Sequence, residues 1–102
     1  MRIEMDTKAQ KNLRKLRVSD QATSQKANRV LRIMTEDPWD PRLDTTKFIS
    51  YGHFPKARKS DRIWHTRISV SAKAWRVYWR QEVVNDEPVI DILHIGPHLK
   101  GM

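Results

Sequence analysis

Apolar and polar positions alternate at the start of the chain, where Ile3 and Met5 share one side of Arg2 to Asp6; this reads as a short strand. Asp6 or Thr7 can then cap a helix, because a side-chain oxygen there accepts from first-turn amides that lack a backbone partner. Ala9, Leu13 and Leu16 recur at i, i+4 and i+7, lining one side of a helix that runs to about Arg17. Ser19 or Asp20 starts a second helix, in which Ala27, Val30, Leu31 and Met34 repeat the helical period. Asp37-Pro38 ends it, since the residue before proline disfavours helical backbone. The short gap between the helices predicts an antiparallel helical hairpin.

No period dominates from Trp39 to Arg62. Pro41, Gly52 and Pro55 punctuate this stretch, which predicts a long loop with a strand near Lys47 to Tyr51 and Trp39 as a brace. Strand patterning returns at Trp64. Trp64, Ile68 and Val70 share one face of that run, and His65, Arg67 and Ser69 share the other. After a turn at Ser71 to Lys73, Trp75, Val77 and Trp79 face one way, and Arg76, Tyr78 and Arg80 the other. Asn85 to Pro88 signals a second turn. Val89 to Ile95 is then a mostly apolar strand, with Asp91 and His94 as exceptions, and Gly96-Pro97 ends it. The predicted fold is α+β: an N-terminal strand and a helical hairpin packed on a small antiparallel sheet, in one domain over residues 1–102. The tryptophan face of the sheet receives the helices, and the arginine face is open to solvent.

Composition narrows the chemistry. Twenty lysines and arginines against twelve acids give a net charge of +8 in 102 residues. The excess is local: Lys56, Arg58, Lys59, Arg62, Arg67, Lys73, Arg76 and Arg80 stand against Asp61 alone. Such a segment attracts a polyanion. The absence of cysteine excludes disulfides, iron–sulfur clusters, cysteine-type zinc sites and thiol catalysis. No apolar run approaches the ~18 residues of a membrane span, and the charged N-terminal stretch lacks a signal-peptide block. The expected setting is the cytoplasm, with no membrane and no cofactor.

On the open face, Arg67, Arg76 and Arg80 can grip phosphate, and Tyr78 can stack on a base. Positive neighbours favour a neutral His65, able to act as general base. His98, beyond Gly96-Pro97, can reach the same face as a general acid. A base, an acid and arginines around a phosphate suffice for RNA cleavage by 2′-hydroxyl attack without a metal. A metal site on His94 and His98 would need helical spacing, which Gly96-Pro97 forbids.

Three segments carry a resemblance: Trp64-His65-Thr66-Arg67-Ile68, Ala74-Trp75-Arg76-Val77-Tyr78, and Ile92-Leu93-His94-Ile95-Gly96-Pro97-His98. With the preceding helical hairpin, the chain resembles the RelE/ParE superfamily of type II toxins. The resemblance implies a ribosome-dependent, metal-independent endoribonuclease, an mRNA interferase that cuts translated mRNA. By position it implies Arg76 as phosphate stabiliser, with Arg67 sharing that role. His65 stands where some members have lysine, as base or phosphate contact. His98 stands where members have arginine or histidine, as general acid. Many members add a tyrosine in a further segment; none follows His98 here, which leaves a histidine mechanism. Some use a central glutamate as base, and the nearest acid is Asp61. Lys56, Arg58, Lys59, Arg62 and Lys73, with Tyr78 and Arg80, are the expected RNA contacts, the basic loop meeting ribosomal RNA. The implied partners are a cognate antitoxin and mRNA on the ribosome. The alternatives are a ParE-like inhibitor of DNA gyrase and a non-catalytic nucleic-acid-binding module on the same fold.

Overall fold

The computed structural model describes residues 1–48, 54, 62–69 and 74–97. The expectations that fall on Lys56, Arg58, Lys59, Asp61, Lys73 and His98 lie outside the described residues. The elements are β1 (Arg2–Met5), α1 (Thr7–Ser19), α2 (Gln21–Glu36), β2 (Thr45–Phe48), β3 (Ile63–Arg67), β4 (Trp75–Val84) and β5 (Glu87–Pro97).

Both helices begin on an aspartate. Asp6 accepts from the Ala9 amide at 2.8 Å. Asp20 accepts from the Thr23 amide at 3.1 Å and from its hydroxyl at 2.6 Å. The Asp20 N–H also donates to the Leu16 carbonyl, at 2.8 Å, so one residue closes α1 and opens α2. At the end of α2 the Asp37 N–H closes on the Ile33 carbonyl at 2.9 Å. The side chains of Asp37 and Asp40 then accept from the amides of Trp39 and Arg42, at 2.9 and 2.8 Å, and turn the chain twice. The stretch read as a long loop is therefore partly ordered by aspartate turns, and it delivers β2 to the sheet. No helix among the described residues is long and apolar enough to cross a membrane.

The strand order is β1-β5-β4-β3-β2. β3, β4 and β5 form the predicted antiparallel meander, and β2 adds antiparallel to β3. β1 corrects the expectation of a purely antiparallel sheet: it runs parallel to β5, pairing Ile3 with Ile90 and Met5 with Ile92. Alternation reveals that a strand exists and which side is apolar, but neither its neighbour nor its direction.

The main core lies between helices and sheet. Ala9, Leu16, Ala27 and Met34 meet Val77, Trp79, Ile90, Ile92 and Ile95, with Trp64 and Trp75 packed at the margin. Thr66 is buried there; its hydroxyl oxygen accepts from the Trp79 indole N–H at 2.9 Å and pairs with the Thr45 hydroxyl at 2.8 Å. Trp39 sets its ring edge-on to Trp64, with centroids 4.7 Å apart, as the bracing role requires. A second core occupies the opposite face: Phe48, Phe54, Ile63 and Tyr78, with Leu93 packed against them. This second core corrects the expectation of an open arginine face, because aromatic side chains cover part of it.

Candidate active site

The registers lay out the second face in rows. Arg67 on β3, Arg76 on β4 and Gly96 on β5 form one row, and His65, Tyr78 and His94 form the next. Arg67 and Arg76 are directly opposed. Cross-strand partners bring their side chains within about 5 Å, where like charges repel. Among the described ion pairs only Asp44, half exposed, answers them, 3.3 Å from the Arg67 Nε. The Arg76 Nε is buried and has no hydrogen-bond partner among the described residues. Two adjacent guanidiniums with one peripheral carboxylate make a place for an anion such as phosphate.

A β-bulge decides which histidine joins them. The register slips by one residue between Tyr78 and Trp79, so β5 carries an extra residue at Leu93. Before the slip Ile90 and Ile92 face the helices; after it Ile95 does. His94, two positions from Ile92, would otherwise face the helices too. The bulge turns it to the side of Tyr78, with ring centroids 5.7 Å apart. Its ring lies over Gly96, the residue paired with Arg76. A Cβ at position 96 would stand 2.8 Å from the His94 Nε2, closer than side-chain carbons approach. Glycine is thus required for the imidazole to lie beside the arginine row. The sequence signal was present as the broken alternation Ile90, Ile92, Ile95, with His94 as a polar exception.

His65 and Tyr78 depart from expectation. Tyr78 has no exposed surface and His65 only 2%, so neither is offered to solvent. The Tyr78 ring meets Phe48 and Phe54, at 5.0 and 5.7 Å, and stacks on His65 at 5.6 Å. The His65 Nε2 pairs with the Thr46 hydroxyl at 2.6 Å. Tyr78 is therefore core, not an open stacking surface for a base. Arg80 is also corrected: 14% exposed, it is held by Asp91 at 3.0 Å and Glu82 at 2.8 Å. Arg62, before β3, is exposed as expected. The face brings together Arg67, Arg76 and His94, with His65 and Tyr78 as a buried layer beside them. Among the described residues no group of three or more histidines, cysteines and acids could hold a metal ion.

No protein-family model matches the sequence, and no curated protein matches it. The fold matches a solved structure, a YoeB/ParE toxin from Agrobacterium tumefaciens, with a TM-score of 0.70 over 97% of this chain and all of that one. The two sequences are 15% identical over the match, so the likeness is one of fold.

Proposed function

We propose that this chain is the toxin of a type II toxin–antitoxin pair and acts as an endoribonuclease on translated mRNA. The observation that carries the reading is the opposed Arg67 and Arg76 beside the His94 ring. The likeness in fold to a YoeB/ParE toxin supports it. In the proposed reaction Arg76, with Arg67, grips the scissile phosphate through its N–H groups. The 2′-hydroxyl loses its proton to a histidine and attacks phosphorus. The guanidiniums stabilise the extra negative charge as the P–O5′ bond breaks. A protonated imidazole gives its proton to the departing 5′-oxygen. The products are a 2′,3′-cyclic phosphate and a 5′-hydroxyl. His94 takes the reachable role that the sequence suggests for His65, and His98 remains the candidate partner acid. His65, through Thr46 and Tyr78, holds the aromatic layer behind them. Arg62, with the lysines and arginines at 56–59 and Lys73, serves ribosomal RNA, and a cognate antitoxin restrains the activity.

The test is primer extension on a reporter mRNA after brief induction of the full chain. Wild type should produce new ends within translated codons, and Arg76→Ala should lose them by at least about 10²-fold with an unchanged thermal melt. Equal cleavage by the variant would overturn the site. Growth arrest with no new ends would overturn the nuclease reading in favour of gyrase inhibition.

A further inference from the structure

The helical layer leaves one end of the sheet uncovered. On β4 the side chains that face the helices are Trp79, Gln81 and Val83, paired with Ile92, Ile90 and Pro88 of β5. Ile90 and Ile92 are buried under the helices, whereas Val83 is 72% exposed. The Met1 amine donates to the Thr35 carbonyl, which anchors the C-terminal end of α2 beside β1, at this same end of the sheet. The chain then turns and sets Trp39 against Trp64 and Trp79, with ring centroids 4.7 and 5.4 Å away. Trp39 is held by two rings and is still 49% exposed. Trp79 and Val83 are four residues apart on one strand, about 13 Å, so Trp39 and Val83 bracket one stripe with Gln81 between them. Six of the chain's twelve acids stand in residues 36–41 and 81–88, and neither segment contains a lysine or an arginine. Asp40 and Glu82 hold Arg42 and Arg80, at 3.0 and 2.8 Å. Glu36 and Asp37 beside Trp39, and Asp86 and Glu87 beside Val83, are exposed.

We propose that this uncovered sheet face docks an arginine-rich segment of a protein partner, with a guanidinium on the Trp39 ring, an aliphatic side chain on Val83 and cations against Glu36 and Glu87. Indole is the best side-chain ring for a cation, and tryptophan and arginine dominate the energetics of protein interfaces. Trp64 and Trp79 already fix the Trp39 ring, so docking costs it little freedom. The carboxylates at both ends of the stripe repel a nucleic-acid strand and an acidic segment alike. The net charge of +8 does not cancel this local sign, because exposed charges are screened beyond about 8 Å at physiological salt. A second copy docked about a two-fold axis would set this stripe on itself, acid against acid. A second copy docked through α1 has the right sign, since α1 carries five cations, no acid and the exposed Val18, and the test separates that case. Neither the stripe nor its charge depends on the nuclease reading.

Binding is measured by fluorescence anisotropy on the full chain. The probes are a short labelled peptide of alternating arginine and leucine, and the same peptide with serine for arginine. The arginine peptide should bind, and the serine peptide should bind at least about tenfold more weakly. Glu36→Lys with Glu87→Lys should weaken the arginine peptide by at least about tenfold. Val83→Ser should weaken it by at least about threefold, through lost apolar contact. Thermal melts should be unchanged in both variants, because all three positions are exposed. No binding of the arginine peptide, or equal binding by the charge-reversed variant, would overturn the proposal. Self-association in sedimentation equilibrium that the charge-reversed variant and Val18→Asp both abolish would give the stripe to a second copy instead. Every readout is of binding alone, so failure of the nuclease reading leaves the test intact.

Discussion

At position 78 the aromatic ring is enclosed by Phe48, Phe54 and His65, although its neighbours Arg76 and Arg80 are polar. Truncating a fully buried aromatic leaves a cavity, so Tyr78→Ala should lose about 3–5 kcal/mol of stability in a denaturant titration. A solvent-facing stacking residue would lose under about 0.5 kcal/mol, and that smaller loss would return Tyr78 to the surface. Gly96 makes a different prediction. The atom that an added Cβ meets is the far end of the His94 side chain, which can swing aside. Gly96→Ala should therefore lose only about 1 kcal/mol, the cost of an off-rotamer side chain. It should move the His94 imidazole resonances in NMR, and reduce cleavage by about 10²-fold through misplacement. Unmoved His94 resonances would break the proposed link between the glycine and the imidazole.

The helix junction is a single residue. Asp20 terminates α1 through its N–H and starts α2 through its carboxylate. The Thr23 hydroxyl, and then the Thr23 amide, hold this carboxyl below its usual value of 3.8. The unfolded chain then binds the proton more readily than the folded one. The stability that the charged cap contributes is complete above the unfolded value and is lost as pH falls through the lower folded value. Asp20→Ala should therefore melt lower than wild type at pH 7, and the gap should narrow as the pH is taken below 3.8. A gap that is constant with pH would remove the carboxylate from the account. The bulge on β5 is the second decision at this scale. One extra residue moves His94 from the helix side to the arginine side.

Across the whole molecule, the sheet divides two kinds of cation. Arg76 stands in a row that lacks a full complement of carboxylates, whereas Arg80 is neutralised by Asp91 and Glu82. The two arginines should behave oppositely in a salt titration of RNA binding. Arg76→Ala should reduce the slope of log K against log salt by about 0.7 for each phosphate that is no longer neutralised. Arg80→Ala should leave the slope alone and destabilise the fold by about 2 kcal/mol, the order of a hydrogen bond to a charged group. A reduced slope for Arg80→Ala would restore it as an RNA-binding residue. The helical side carries its own charge: α1 holds Lys8, Lys11, Arg14, Lys15 and Arg17 and no acid.

Much of this was legible in the order of residues. Helix limits followed from Asp6, Asp20 and Asp37-Pro38, and the meander from alternation about two turns, because caps, proline and side-chain period act over a few residues. Arg67 and Arg76 were legible as neighbours on one face for the same reason. Tertiary structure decided what depends on distant partners. Phe48 and Phe54, far along the chain, buried His65 and Tyr78; Asp91 captured Arg80 across the hairpin; Ile90 and Ile92 received β1 in parallel. The bulge that turns His94 toward Arg76 is a property of two strands in register, since one strand alone has nothing to slip against. Local patterns fix which way a side chain points relative to its own backbone. Only the assembled sheet fixes what it points at.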